Sequence, residues 1–235
     1  GGAGTSTAAL SFGGETPSPP VVAINESWNG TNWTEVNDMN TARRMIANGA
    51  AGTQTSALCF GGSSPADPRE EETEAWNGTS WFVVNDLNVG REQIAGFGAD
   101  NTAALAFGGN PNPSSVLTAT ELWNGTNWTS VNSLNTGRSS MSGAGVSTAG
   151  IGFAGFSPAG NLSNTESWNG TSWTEVNDLN VGRNDMGGCG TQTDALGFGG
   201  VTPAGQFAST EQWNGVSWSE TSDLSTARND MANVL

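Results

Sequence analysis

Apolar residues along the chain fall in short runs broken by glycine, proline and polar clusters, rich in strand and turn signals and without helical periodicity. One run recurs with phenylalanine near its end and a small-residue pair behind it. The copies are Leu10 to Gly14, Ala57-Leu58-Cys59-Phe60-Gly61-Gly62, Ala104-Leu105-Ala106-Phe107-Gly108-Gly109, Leu196 to Gly200 and the degenerate Ile151-Gly152-Phe153-Ala154-Gly155. Each predicts a buried strand followed by a turn that needs positive φ.

A second pattern, Trp-Asn-Gly-x-x-Trp, occurs five times. Its first tryptophans are Trp28, Trp76, Trp123, Trp168 and Trp213; its second are Trp33, Trp81, Trp128, Trp173 and Trp218. Asn-Gly between apolar residues predicts a hairpin. With Asn29-Gly30 as a two-residue loop, Trp28 pairs with Thr31 and Glu26 with Trp33, leaving both indoles and the acid on one face. These ten rings are expected to be the core, packed against the neighbouring unit. A third stretch, such as Ala47-Asn48-Gly49-Ala50-Ala51-Gly52 or Ser142-Gly143-Ala144-Gly145, is made of small residues and predicts a crowded innermost strand.

Successive first tryptophans are 48, 47, 45 and 45 residues apart, the size of a propeller blade. Two residues before each stands Glu26, Glu74, Glu121, Glu166 or Glu211, and fifteen after it stands Arg43, Arg91, Arg138, Arg183 or Arg228. The order of apolar strand, Gly-Gly, aromatic, tryptophan and arginine resembles the kelch repeat, with tryptophan where that family usually has tyrosine. The resemblance covers the whole chain and implies a β-propeller; kelch-type propellers serve as binding scaffolds, structural parts and occasionally enzyme frames, so it does not assign an activity.

The expected fold is therefore all-β, a single domain over residues 1–235: a five-bladed β-propeller of four-stranded antiparallel blades. Blade 1 is expected at 5–37 plus 228–235, blade 2 at 43–84, blade 3 at 91–131, blade 4 at 138–176 and blade 5 at 183–221. Residues 228–235 would close the ring as the innermost strand of the N-terminal blade, leaving no open edge.

Composition narrows the chemistry. The chain has no histidine, lysine or tyrosine, which removes histidine bases and ligands, lysine Schiff bases and tyrosine nucleophiles. A formal net charge of -15 opposes nucleic acid and anionic membrane surfaces. No apolar run is long enough to span a bilayer, and the first residues do not read as a signal peptide. Cys59 and Cys189 occupy different repeat positions and are expected to stay unbridged.

The repeated glutamates and arginines have two readings. Either they tie strands and blades together, or Arg43, Arg91, Arg138, Arg183 and Arg228 ring one mouth of the axial channel and hold an anion or a ligand carboxylate. Asn37 to Asn40, Asn85 to Asn88, Asn132 to Asn135 and Asn177 to Asn180 carry oxygen ligands but lack the dense acids of a calcium loop, so they read as turns. Sequons at Asn25, Asn29, Asn32, Asn77, Asn124, Asn127, Asn161 and Asn169 coincide in four cases with the hairpin Asn-Gly. Asp67-Pro68-Arg69-Glu70-Glu71-Glu72 reads as a solvated loop. No metal, cofactor or catalytic residue is expected.

The units differ most at Glu15 to Ala23, Ser63 to Glu72, Asn110 to Thr118, Phe156 to Ser163 and Val201 to Ser209, which should share a rim with the links between units and form the binding face. A surface made soluble by neutral polar residues looks like that of kelch-like phage tail-fibre and other virion proteins. The expectation is a non-enzymatic extracellular or virion-displayed binding module that recognises carbohydrate or a surface polymer. The alternative is a structural or assembly module with protein partners or copies of itself as ligands.

Overall fold

A computed structural model of the chain describes residues 1–18, 20–46 and 50–231. The described residues contain strands and no α-helix, so no helix is long and apolar enough to cross a membrane. The strands form five four-stranded antiparallel sheets arranged as the blades of a β-propeller. Blade 1 holds β1 (Gly2–Thr5), β2 (Ala8–Gly14), β3 (Val22–Trp28) and β4 (Trp33–Val36); blade 2 holds β5 (Ala50–Thr53), β6 (Ser56–Phe60), β7 (Thr73–Trp76) and β8 (Trp81–Val84). Blade 3 holds β9 (Ala95–Asp100), β10 (Ala103–Phe107), β11 (Thr120–Trp123) and β12 (Trp128–Val131). Blade 4 holds β13 (Ser142–Val146) and β14 (Ala149–Phe153), then, after a small hairpin of β15 (Phe156–Ser157) and β16 (Gly160–Asn161), β17 (Thr165–Trp168) and β18 (Trp173–Glu175). Blade 5 repeats this plan with β19 (Gly187–Gly190), β20 (Ala195–Phe198), the hairpin β21 (Val201–Thr202) and β22 (Gly205–Gln206), β23 (Thr210–Trp213) and β24 (Trp218–Glu220).

Two expectations are corrected. The outer hairpin pairs Trp28 with Trp33 and Glu26 with Glu35, so its loop has four residues rather than two, and the same register recurs in every blade. The cause is the asparagine side chain. Asn29 Oδ1 accepts hydrogen bonds from the backbone of Thr31 and Asn32, both at 2.9 Å, and so builds an Asx turn across the loop while Gly30 takes φ +91°. Residues directly opposite still share a face, so the two indoles stack on one another, 5.4 Å between centroids.

The second correction concerns blade 1. Its innermost strand is Gly2–Thr5, running from Gly2↔Ser11 to Thr5↔Ala8, in the place expected for residues 228–235. A hairpin across Ser6 and Thr7 closes a far shorter loop than a strand returning from the other end of the chain. Residues 228–231 form no strand and run beside blade 5, where Gly200 N donates to Arg228 O at 2.9 Å; residues 232–235 lie outside the described residues. Residues 47–49 of the innermost strand expected for blade 2 also lie outside them, and that strand is described from Ala50.

The core lies between blades. Its four hydrophobic clusters each join residues of two consecutive blades, as where Leu10, Phe12 and Met39 meet Cys59, Trp76 and Trp81. The small residues of the inner strands answer to this packing. A Cβ on Gly96 would lie 2.5 Å from Phe60 Cζ, and one on Gly143 3.0 Å from Phe107 Cζ, so these two glycines make room for the phenylalanine of the blade before theirs. The paired glycines after phenylalanine take positive φ as expected, for example Gly61 at +65° and Gly62 at +98°, and Ala154 adopts +61° in the degenerate copy. Both cysteines are free, and burial raises the pKa of each thiol.

Candidate functional site

The arginines are set by the links between blades. Each link leaves the outer strand of one blade, crosses to the next and delivers its arginine beneath that blade's glutamate. Arg43 pairs with Glu74, Arg91 with Glu121 at 2.8 Å, Arg138 with Glu166 at 2.8 Å and Arg183 with Glu211 at 3.1 Å, all eight side chains buried. Burial pushes the guanidinium pKa of Arg91, Arg138 and Arg183 below the ordinary value, against the pull of the paired carboxylates. The same glutamates collect the link. Asn40 gives its backbone N and Nδ2 to Glu74 at 2.8 Å each, and Asn135 and Asn180 do likewise to Glu166 and Glu211. Four guanidinium groups are thus committed to carboxylates inside the molecule; Arg228 is exposed, with no salt bridge among the described residues.

The turn reading of the Asp-Leu-Asn segments has a direct counterpart. Asp38, Asp86 and Asp178 each accept from a backbone N in the third strand of their blade, at Asn25, Thr73 and Thr165. No group of three or more potential metal ligands occurs among the described residues. In the acidic loop Arg69 pairs with Glu92 at 2.9 Å, and Glu72 adds a second carboxylate to Arg43.

The variable loops and the links share one rim, because isolated bridges join them: Arg44 with Ser63, Glu92 with Asn110, Ser139 with Phe156 and Asn184 with Val201. On this rim, between blades 3 and 4, lies a cavity of about 410 Å³, within the usual range for small-ligand sites of roughly 300–1,000 Å³. Gln93, Asn110, Ser140 and Asn184 supply amides and a hydroxyl, Phe156 an aromatic ring that is 41% exposed, and every lining residue is uncharged. Asn110 Nδ2 donates to Gln93 Oε1, which orients both amides, and Asn184 Oδ1 has no hydrogen-bond partner. A second cavity, about 550 Å³, lies at the turns between first and second strands around Val146 and Gln192, and is lined chiefly by small aliphatic groups and threonine.

Gln93 and Ser140 belong to a set the sequence reading did not single out: the residue two places after each repeated arginine. Met45, Gln93, Ser140, Asp185 and Asp230 all take φ between +50° and +56°. Their backbones are chained from blade to blade, since Gln93 N donates to Met45 O, Ser140 N to Gln93 O, Asp185 N to Ser140 O and Asp230 N to Asp185 O. Left-handed backbone in residues other than glycine is costly, and here that chain holds it in place. The signal in the sequence is that this position, two residues after an arginine present in every unit, takes four residue types in five units.

No protein-family model matches the chain, and no curated protein matches it. Its architecture is a five-bladed β-propeller built from one tryptophan-rich repeat.

Proposed function

We propose that this propeller is a non-enzymatic binding module, displayed outside a cell or on a virion, whose variable-loop rim takes a neutral carbohydrate. The cavity between blades 3 and 4 carries the reading. Its amides and hydroxyls match the donors and acceptors of sugar hydroxyls, Phe156 offers a face for the apolar side of a pyranose ring, and its uncharged lining suits a neutral ligand. The rim combines a rigid frame of chained links with loops that differ from blade to blade, so recognition can vary without disturbing the fold. Repeated shallow sites, or repeated copies of the module, would supply avidity from weak contacts. The kelch-like order of the repeat fits a binding scaffold and leaves the ligand to the rim.

A glycan array with the purified protein, repeated with Phe156→Ala and Asn184→Ala, tests it. Binding to neutral glycans that is lost in both variants with an unchanged melting temperature is expected. Silence across the array, or binding indifferent to both changes, overturns it.

A second reading, an assembly module, draws support from Phe82 and Val83, adjacent and both exposed on the outer strand β8. A stable oligomer in light scattering, dispersed by Val83→Lys, would favour it.

A further inference from the structure

Glycine takes left-handed backbone without steric cost, and the chain uses it freely for that purpose. Among the described residues twenty glycines have positive φ, against six residues of other types. One of the six is Ala154, in the degenerate copy of the Gly-Gly turn. The other five are Met45, Gln93, Ser140, Asp185 and Asp230, all at one repeat position. Aspartate tolerates this conformation through local hydrogen bonds, whereas methionine, glutamine and serine have no such relief. Where the handedness alone matters the chain places glycine; here it keeps a side chain in strained backbone.

Packing does not account for those side chains. Met45 is 39% exposed, Gln93 and Asp185 are half-buried, Ser140 is buried and Asp230 is exposed, so the position has neither a common burial nor a common volume. The bonds that chain the links from blade to blade use backbone N and O alone, and glycine would form them equally well. What the position shares is its place. It follows directly on Arg44, Glu92, Ser139 and Asn184, the residues that bridge each link to a variable loop, and through Gln93 and Ser140 it lines the rim cavity.

We propose that Gln93 and Ser140 are specificity-determining residues of that cavity, kept in left-handed backbone for the contacts they make with a sugar, and that the cavity selects a pyranose with two adjacent free hydroxyl groups. The proposal rests on the carbohydrate reading and adds to it which side chains choose the ligand. Asn110 Nδ2 donates to Gln93 Oε1, which sets the two carboxamides side by side. Gln93 Nε2 and Asn110 Oδ1 have no partner among the described residues, so the pair offers one donor next to one acceptor. Adjacent sugar hydroxyls complement it, one accepting from Nε2 and the other donating to Oδ1. Ser140 sets a further hydroxyl in the same wall.

Full-chain variants separate recognition from folding. The probe is a panel of immobilised neutral oligosaccharides together with counterparts O-methylated at adjacent hydroxyls. Gln93→Gly and Ser140→Gly should each bind the glycans that the unaltered chain takes about tenfold more weakly, the loss of one or two polar contacts. The melting temperature of Gln93→Gly should be unchanged or up to about 4 °C higher, the gain that relief of left-handed strain gives in a chain of this size. Met45→Gly, away from the cavity, measures that relief by itself. Gln93→Met carries a side chain that the equivalent position before blade 2 already holds in the same conformation, and it should lose binding by the same factor. Methylation of either hydroxyl of the recognised pair should abolish binding. A fall in melting temperature in Gln93→Gly beyond that in Met45→Gly shows that the side chain is kept for folding and overturns the proposal. Binding kept by any of the three cavity variants, or by methylated glycans, overturns it and leaves the carbohydrate reading standing. Silence of the unaltered chain across the whole panel overturns both.

Discussion

Trp173 of blade 4 leans on Phe107 of blade 3 with ring centroids 4.9 Å apart at 58°, and its Nε1 donates to Thr120 Oγ1 of that same neighbour at 3.0 Å. One side chain thus carries both the apolar and the polar part of a blade junction. The blades cohere through such residues, since each cluster of the core spans two sheets.

Trp173→Ala should cost about 3–5 kcal/mol, the range for emptying a buried aromatic site, and leave Thr120 without its donor. Trp173→Phe should cost clearly less, because it keeps most of the ring contact. Urea unfolding followed by circular dichroism checks both, and equal losses would show that the contact with Phe107 is not what the junction depends on.

Arg138→Met leaves the Glu166 carboxylate buried without its cation and should cost about 3–5 kcal/mol. Adding Glu166→Gln should recover part of the loss, since the amide is neutral and still accepts from Asn135. A double variant less stable than Arg138→Met would mean that the carboxylate matters for its link contacts more than for its charge.

Gly145 and Gly160 have nearly the same backbone, φ +124° and +122°, in different surroundings. An added Cβ at Gly145 would run into Ala149 O and Gly150 Cα, whereas at Gly160 it meets nothing within 4 Å. Gly160→Ala should cost of order 1–3 kcal/mol for the backbone conformation alone, and Gly145→Ala more than that. Thermal unfolding of the two variants side by side decides whether crowding at the inner strand adds to backbone strain.

Burial holds the Asp185 carboxyl above its ordinary value of 3.8, and the neighbouring Asp230 adds to the shift while Ser140 opposes it. The folded protein therefore binds this proton more tightly than the unfolded chain does. That contribution to stability is fully present below pH 3.8 and is lost as pH rises through the raised value. Asp185→Asn should be more stable than the unaltered chain at neutral pH, with the difference shrinking as pH falls through this window. Melting temperatures from acid to neutral pH check the sign, and an advantage that grows on acidification would refute it.

The repeat, the blade count, the four-strand order and eight of the ten core tryptophans were legible in the sequence because each depends on short-range chemistry; Trp28 and Trp33 of blade 1 are half-buried and exposed instead. Asn-Gly makes a hairpin wherever it stands between strand-forming residues, and a run of small residues suits only a crowded strand. The hairpin register was not legible. Whether Asn29 spans two residues or four depends on which hydrogen bonds its side chain makes, and period-2 alternation leaves both indoles on one face either way.

The charged pairs show the division most plainly. Glu and Arg at constant repeat positions declare a shared role, but their spacing along the chain does not say whether they face each other or a ligand. Only the path of the link, which carries Arg138 under Glu166 and out of water, gives the four buried pairs their structural task. The rim cavity is likewise invisible along the chain, because Gln93, Asn110, Ser140, Phe156 and Asn184 come from three links and two loops. By itself the sequence determined the local strands, the repeat and the surface chemistry, since these follow from neighbours along the backbone. The tertiary structure decided which charges are buried, which glycines are crowded and which loops converge, since those follow from the packing of one blade on the next.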